Sequence, residues 1–280
     1  MSDLRTTKLP SGTEVPVLGQ GTWGYAEDRL LRQREIATLR RGFELGLSLV
    51  DTAEMYADGR AEKLVGEAIV GHRDDVFLVS KVLPQHSTHD GTIAACEGSL
   101  RRLGTDRLDL YLLHWRGRVP LAETIGAFQE LVAAGKVRSW GVSNFDSRDM
   151  TELAGVPGGD DVATDQVLYN LAARGIEWDL LPDCRQRQIP VMAYSPLGRG
   201  SLLDHPLLRD IAGQYDVRPA QIALAWVLRQ DGVIAIPRAG TPAHVEQNRA
   251  AVDLHLSEAT LAQLDRAFPP PGGPVPLEVL

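Results

Sequence analysis

The sequence predicts an α/β protein of the (β/α)8, or TIM-barrel, class, entered through a short N-terminal β-hairpin. Three observations predict it. Short apolar runs alternate with helical patterns from about residue 20 to about residue 250. The runs are continuously apolar rather than alternating, which suits strands buried on both faces of a parallel sheet. Eight such units fit in about 250 residues, the count and length of the barrel.

Taken in order, Lys8-Leu-Pro-Ser-Gly-Thr-Glu-Val15 reads as a hairpin with its turn at Ser11-Gly12. Gln20-Gly-Thr22 gives a first short barrel strand. A helix with Ile36, Leu39 and Phe43 on one face, closed by Gly46 just past its end, leads into Leu47-Ser-Leu-Val-Asp51. Val76 to Val82 is a buried-strand pattern, and the helix after it carries Ile93, Cys96, Leu100 and Leu103 on one face. Leu108 to His114 follows, then a helix from about Leu121 to Ala134 stopped by Gly135. Ser139–Ser143, Val162–Gln166, Ile189–Tyr194 and Val233–Ile236 complete the eight strands. Ser257 caps a last helix bearing Leu261, Leu264 and Phe268, and the tail from Pro269 is irregular and short. No linker, charge block or low-complexity stretch divides the chain, so residues 1–280 are expected to form one domain.

Composition removes several classes of function. A chain of 280 residues buries a sizeable core without staples. Its longest unbroken apolar run, Ile222 to Leu228, is far too short to span a bilayer as a helix. The segment Met1-Ser-Asp-Leu-Arg-Thr-Thr-Lys8 lacks the apolar stretch of a secretory signal, and Cys96 and Cys184 form no CxxC or disulfide framework. A cytoplasmic location is therefore expected. The net charge of −8, with dispersed basic residues, argues against nucleic acid or an anionic membrane as partner.

Gly19-Gln-Gly21-Thr-Trp-Gly24 matches G-x-G-x-x-G, and Asp51 comes 27 residues after its last glycine. The dinucleotide-binding fingerprint of a doubly wound sheet needs a helix that begins inside the motif, so that free amides meet the pyrophosphate. Here Tyr25-Ala-Glu-Asp-Arg29 intervenes and helical periodicity starts only near Ile36. Pro16, just upstream, suits an edge strand better than a central one. The match is read as coincidental.

Barrel enzymes draw their catalytic groups from the C-terminal ends of several strands. Three successive predicted strands end at or next to Asp51, Lys81 and His114, and Tyr56 sits five residues after Asp51. An ionised Lys81 beside Tyr56 would lower the phenol pKa from about 10 by favouring phenolate. Asp51 would hold Lys81 charged and oriented, and His114 would hydrogen-bond an incoming carbonyl oxygen. Such a set donates a proton to an oxygen that becomes alkoxide while hydride arrives at carbon. Each residue alone has an ordinary structural explanation, and their joint placement outweighs it.

Asp51-Thr-Ala-Glu-Met-Tyr56, Ser80-Lys81, Leu112-Leu-His114-Trp115 and Gly141-Val-Ser-Asn-Phe145 resemble the signatures of the aldo-keto reductase superfamily, and the resemblance runs from the hairpin to the last helix. Within it, the stretches from Asp51 to Asp58 and from Ala193 to Leu197 are similar to short bacterial enzymes that reduce methylglyoxal, related ketoaldehydes or diketogluconates. The resemblance implies a tetrad of Asp51, Tyr56, Lys81 and His114 with tyrosine as the acid. It also implies NADPH-dependent reduction of small aldehydes, ketoaldehydes or ketones by a monomer.

Barrels bind phosphate at the loops after their last two strands and at a nearby helix N-terminus. After Ile236 come Pro237, Arg238, Ala239, Gly240 and Thr241, where Thr241 is a good N-cap and Pro242 a good first helical residue. The free amides there, with Arg238 alongside, would accept a phosphate. The resemblance assigns this segment, with His244, Gln247 and Asn248, to the 2′-phosphate and adenine of NADPH. Arg238 stands where the family commonly has lysine, His244 where it has arginine, and Gln247 where it has glutamate. An imidazole is mostly neutral at pH 7, unlike a guanidinium.

By the same resemblance Ser143, Asn144 and Gln166 hold the nicotinamide carboxamide and Tyr194 stacks on the ring. Ser195, Pro196, Leu197 and Gly198 line the pyrophosphate, and Gly21, Thr22, Trp23 and Asp51 also face the cofactor. Trp23 and Trp115, with Tyr56 and His114, wall the substrate pocket. The tail after Phe268 offers little to cover a large apolar ligand, which favours small aldehydes or dicarbonyls. Two rival functions differ in class. A metal-dependent hydrolase would use His86-Ser-Thr-His89-Asp90, near His114, but no early strand carries an H-x-H pair. A non-catalytic nicotinamide-sensing subunit would keep the tetrad and turn nothing over.

Overall fold

The computed structural model describes residues 4–280, so the first three residues of the N-terminal segment read above lie outside the description. β1 (Thr6–Lys8) and β2 (Glu14–Pro16) pair antiparallel as the expected hairpin. Gly12 turns it with φ +83°, and Pro16 ends it on an edge.

Eight parallel strands follow: β3 (Gln20–Gly21), β4 (Leu49–Asp51), β5 (Phe77–Val82), β6 (Leu108–Leu113), β7 (Val137–Ser143), β8 (Asp165–Leu168), β9 (Val191–Tyr194) and β10 (Val233–Ala235). They pair in sequence order from β3 to β10. The last seam closes outside the formal strands. Gly19 N–H donates to Ala235 O and Ala235 N–H to Val17 O, both at 2.8 Å, and Gly21 N–H reaches Pro237 O at 3.1 Å. β8 begins three residues later than expected, at Asp165 rather than Val162. Its pairing nevertheless reaches back to Ala163, whose N–H donates to Trp140 O.

Among the described residues ten α-helices clothe the sheet: α1 (Arg32–Glu44), α2 (Arg60–Ala68), α3 (His89–Leu103), α4 (Leu121–Ala133), α5 (Ser147–Ala154), α6 (Leu180–Gln186), α7 (Pro206–Gln214), α8 (Pro219–Leu228), α9 (Pro242–Ala250) and α10 (Glu258–Ala267). Thr241 and Ser257 cap α9 and α10 as expected, accepting from the backbone N–H of His244 and Thr260. The longest apolar run lies in α8, which is buried from Gln221 to Leu228 around Trp226. No helix among the described residues is long and apolar enough to cross a membrane.

The core has two layers. A large one lies between strands and helices, and a small one fills the barrel. The hairpin contributes Leu9 and Val15 to the inner layer, where they meet Leu49, Val79, Leu110, Leu112, Met192 and Ile234. Because side chains alternate along a strand, the next inward positions after these residues lie one pleat nearer the C-terminal mouth. Those positions are Asp51, Lys81, His114 and Tyr194, with Ser143 and Gln166 from the neighbouring strands. The same alternation that floors the barrel with leucine and valine therefore crowns it with polar groups.

Gly21 sits on the closing seam, where a Cβ would fall 2.6 Å from Ile236 O, a backbone atom. The Gly21→Ala variant is expected to unfold with about 1–3 kcal/mol less stability, read from urea midpoints at constant m-value. An unchanged midpoint would show that the seam yields without cost.

Candidate active site

Lys81 sits at the centre of the mouth, with none of its surface exposed. Its Nζ donates to Asp51 Oδ1 and Oδ2 at 2.7 and 2.8 Å, to the Thr52 carbonyl at 2.9 Å and to the Tyr56 hydroxyl at 3.2 Å. Asp51 is tied in turn by Gln166 Nε2 at 2.8 Å, while its backbone carbonyl accepts from both the amide and the hydroxyl of Thr22. Tyr56 comes from the loop after β4, where Ala57, Asp58 and Gly59 all carry positive φ, between +49° and +77°. Two non-glycine residues in the left-handed region are a local cost, and the turn they make brings the phenol back over Lys81.

Burial governs the electrostatics. It pushes the Lys81 ammonium downward, and the Asp51 carboxylate opposes that push. Burial also raises the Tyr56 phenol well above its ordinary value, and Asp51 adds to the rise. This corrects the sequence-based expectation of a lowered phenol pKa. Loss of solvent decides the direction, and the neighbouring Asp51 carboxylate acts the same way. Burial, then the charge of Lys81, lowers His114 to about 2, which makes it a neutral imidazole. His114 packs edge-on to Tyr56 with centroids 5.9 Å apart, and its Nδ1 is buried without a hydrogen bond among the described residues.

These groups floor a cleft of about 770 Å³. Of the predicted residues, Gly21, Trp23, Asp51, Tyr56, His114 and Trp115 line it, as do Ser143, Asn144, Gln166 and Tyr194. So do Ser195, Pro196 and Leu197 on one side and Ile236, Pro237, Arg238, Gly240, His244, Gln247 and Asn248 on the other. Thr22, Lys81, Gly198, Ala239 and Thr241 are not among the lining residues. Asn144, with φ +58°, donates through Nδ2 to the His114 carbonyl at 3.1 Å and accepts at Oδ1 from the Tyr194 hydroxyl at 2.9 Å. Ser143 Oγ donates to the Gln166 carbonyl at 2.7 Å.

At the far end Arg238 lies over the Tyr25 ring, its guanidinium carbon 5.5 Å from the centroid. The buried Glu35 backs it at 3.9 Å, and the Tyr25 hydroxyl donates to Ala239 O at 2.6 Å. Gly19 to Gly24 forms β3 and a following turn, and no helix begins within it. After β5, His86 Nδ1 pairs with Glu54 at 2.9 Å, and at the start of α3 His89 Nδ1 pairs with Asp90 at 3.2 Å, so the two imidazoles face different partners. No group of three or more His, Cys, Asp or Glu among the described residues is placed to hold a metal.

Sequence reasoning missed part of the wall. Met55, Arg199, Gly200, Leu203, Arg218, Pro219, Ala220, Val279 and Leu280 also line the cleft. Arg199 stacks on the half-exposed Trp23 at 4.5 Å, and its setting between two glycines was a usable signal. The tail corrects an expectation. Arg174 holds the Phe268 carbonyl and Asp265, and Gly175 leaves room for Val275. The last residues then reach the mouth, where Leu280 N–H approaches the Tyr194 hydroxyl at 3.4 Å. The tail after Phe268 therefore does contribute to the cleft, and no local pattern announced it.

Residues 17–268 match the model of the aldo/keto reductase family. The methylglyoxal reductase YeaE of Escherichia coli K12 is 55% identical over 271 residues, 95% of either chain. An aldo/keto reductase from Klebsiella pneumoniae, solved with NADP and acetate, is 51% identical with a TM-score of 0.96, covering 99% of this chain and 100% of that one. A Klebsiella pneumoniae aldo-keto reductase in complex with NADPH is 50% identical with a TM-score of 0.97, over the full length of both chains.

The neutral state of His114 has a consequence for stability. Its folded pKa lies below the unfolded value of about 6.5. As pH falls through 6.5 the unfolded chain takes up a proton that the native state refuses, so stability is lost on the acid side. Between pH 7.5 and 5 the stability advantage of the native protein over His114→Asn should shrink by about 2 kcal/mol, measured by urea unfolding. A difference independent of pH would mean that His114 titrates normally in the fold.

Proposed function

Because the chain belongs to the aldo/keto reductase family, we propose that it reduces small aldehydes, ketoaldehydes or ketones of the methylglyoxal type with NADPH, using Tyr56 as proton donor. The observation that carries the reading is the Tyr56 hydroxyl, 3.2 Å from Lys81 Nζ, on the floor of the cleft beside His114. A single-domain monomer acting in the cytoplasm is part of the same reading.

The residues present fit a dinucleotide phosphate. The cleft is near the upper end of small-molecule sites, which run to about 1,000 Å³. Its lining holds Arg199, Arg218 and Arg238 against one side-chain carboxylate, Asp51, which Lys81 already neutralises. Arg238 and the capped start of α9 would take the 2′-phosphate, with Asn248 and His244 beside them. The segment from Ser195 to Gly198 would follow the pyrophosphate, and Asn144, Ser143 and Gln166 would hold the carboxamide. When bound, the nicotinamide supplies hydride to the carbonyl carbon.

The proton step belongs to the chain. Desolvation keeps the Tyr56 phenol protonated, as a donor must be. As the carbonyl π bond opens, the Tyr56 O–H bond breaks and its proton passes to the carbonyl oxygen. Lys81 then hydrogen-bonds the phenolate left behind, with Asp51 fixing the direction of the ammonium. His114, held neutral by burial, can direct the carbonyl oxygen by hydrogen bonding without adding a second charge beside Lys81. Trp23 and Trp115 flank the reacting end with apolar surface, which suits a compact dicarbonyl.

The test is oxidation of NADPH by methylglyoxal. Tyr56→Phe should lose about 10²–10⁴ of the rate while NADPH affinity stays within about twofold. Comparable loss of both would place Tyr56 in binding, and tight NADPH binding without turnover of any carbonyl would favour the sensing subunit. Arg238→Ala should weaken NADPH by about 10–100-fold, the worth of a charge-assisted pair, and NADH far less. Equal loss for both cofactors would remove Arg238 from the 2′-phosphate.

A further inference from the structure

Behind the strand that carries Lys81 lies a second charged pair, which the mechanism above does not use. Glu62 of α2 is completely buried. Its Oε1 accepts the Ser80 hydroxyl at 2.7 Å, and its Oε2 accepts Nε–H of Arg102 from α3. Arg102 also donates to Ser99 Oγ at 3.1 Å. The same side chain lies flat on Gly59, where a Cβ would fall 2.6 Å from Arg102 Cδ and 2.7 Å from its Nε.

Both ends of this contact run directly into the tetrad. Ser80 and Lys81 are consecutive on β5, so the pleat turns one outward to Glu62 and the other inward to Tyr56. Gly59 closes the left-handed run of Ala57, Asp58 and Gly59 that follows Tyr56. The contact between Tyr56 and Lys81 inside the barrel is thus bracketed by the contact between Glu62 and Arg102 outside it. A buried ion pair is a poor source of stability, because desolvation consumes most of its Coulomb energy, but it fixes geometry well.

We propose that Glu62 and Arg102 are positioning residues for the proton-donating pair, setting through Ser80 and Gly59 the separation and angle between Lys81 Nζ and the Tyr56 hydroxyl. The inference rests on the reading of Tyr56 as proton donor. An electrostatic link runs the same way, since the charge of Glu62 joins Asp51 in favouring protonated Lys81. The other groups facing Lys81 are Tyr56 and His114. Those around Glu62 are Arg102, Ser80, Cys96 of α3 and Tyr111 of β6.

The experiment compares Ser80→Ala, Arg102→Lys, Arg102→Met and Glu62→Gln with the native protein and Tyr56→Phe. It measures kcat with methylglyoxal, NADPH affinity, melting temperature and the pH profile of kcat. Arg102→Met should lower kcat by about 10–100-fold, as misplacement of a reacting group does, with NADPH affinity within about twofold. Arg102→Lys should restore part of the loss, and Ser80→Ala should fall between native and Arg102→Met. In Glu62→Gln the alkaline limb of kcat should move to lower pH, because Lys81 loses a charge that keeps it protonated. Native kcat in the folded Ser80→Ala and Arg102→Lys proteins would overturn the inference, as would parallel loss of kcat and NADPH affinity. Those two variants carry the test if Arg102→Met does not fold. Native turnover by Tyr56→Phe would instead remove the proton-donor premise and the inference with it.

Discussion

A lysine with no exposed surface must have its charge matched inside the protein, and that requirement organises the mouth of this barrel. Stranding an ammonium away from water is far more costly than any single packing contact. Asp51 has to approach from β4, the Thr52 carbonyl has to turn inward, and the Tyr56 hydroxyl fills the remaining position. Three acceptors from one loop are thereby fixed about a single nitrogen on the neighbouring strand. The left-handed turn at Ala57 and Asp58 is tolerated because the contacts around Lys81 over-determine it. Removing any one partner leaves a buried charge short of a bond, so the arrangement is rigid without relying on hydrophobic burial.

The barrel makes that arrangement possible by separating its interior into two levels. Leucine and valine from the strands, with Leu9 and Val15 of the hairpin, fill the lower level and exclude water from below. One pleat higher the inward positions turn polar, and most are hydrogen-bonded to a neighbour: Gln166 to Asp51, Ser143 to Gln166, and Tyr194 to Asn144. A polar layer set on a dry floor strengthens every electrostatic contact it makes. It also explains why burial, rather than any single neighbour, sets the direction of the shifts at Tyr56, Lys81 and His114.

Local pattern made much of this legible. Continuous apolar runs marked the strands because both of their faces are covered, and the ionisable residues at successive strand ends marked the mouth because pleat and barrel together aim them inward. The sign of the Tyr56 shift was not legible. It depends first on burial, which the Asp51 carboxylate reinforces, and a list of neighbours gives no burial. The contribution of Val279 and Leu280 was hidden for a different reason: it depends on Arg174 and Gly175 anchoring a tail without periodicity, a contact across about a hundred residues of sequence. The partners of Arg238 belong to the same class. Tyr25 and Glu35 reach it only because the barrel closes β10 onto β3.

Closure also bears on the charge of the end of the cleft where Arg238 lies. The chain carries a net −8, yet its cleft is lined by three arginines and a single side-chain carboxylate that is already paired. An anion approaching the molecule is repelled by the surface at large and drawn to the mouth, where low-dielectric walls focus the field. Relative to the pattern the family commonly shows, α9 lacks a guanidinium at His244 and a carboxylate at Gln247. What remains distinctive is where the surviving guanidinium is held. Arg238 is braced from behind by Glu35 and supported on the face of Tyr25, with the hydroxyl of that ring bonded to the backbone next to Arg238. A cation oriented before its ligand arrives loses less side-chain entropy on binding than a free one. An anionic ligand at this end would therefore meet a guanidinium already held in place by Glu35 and Tyr25.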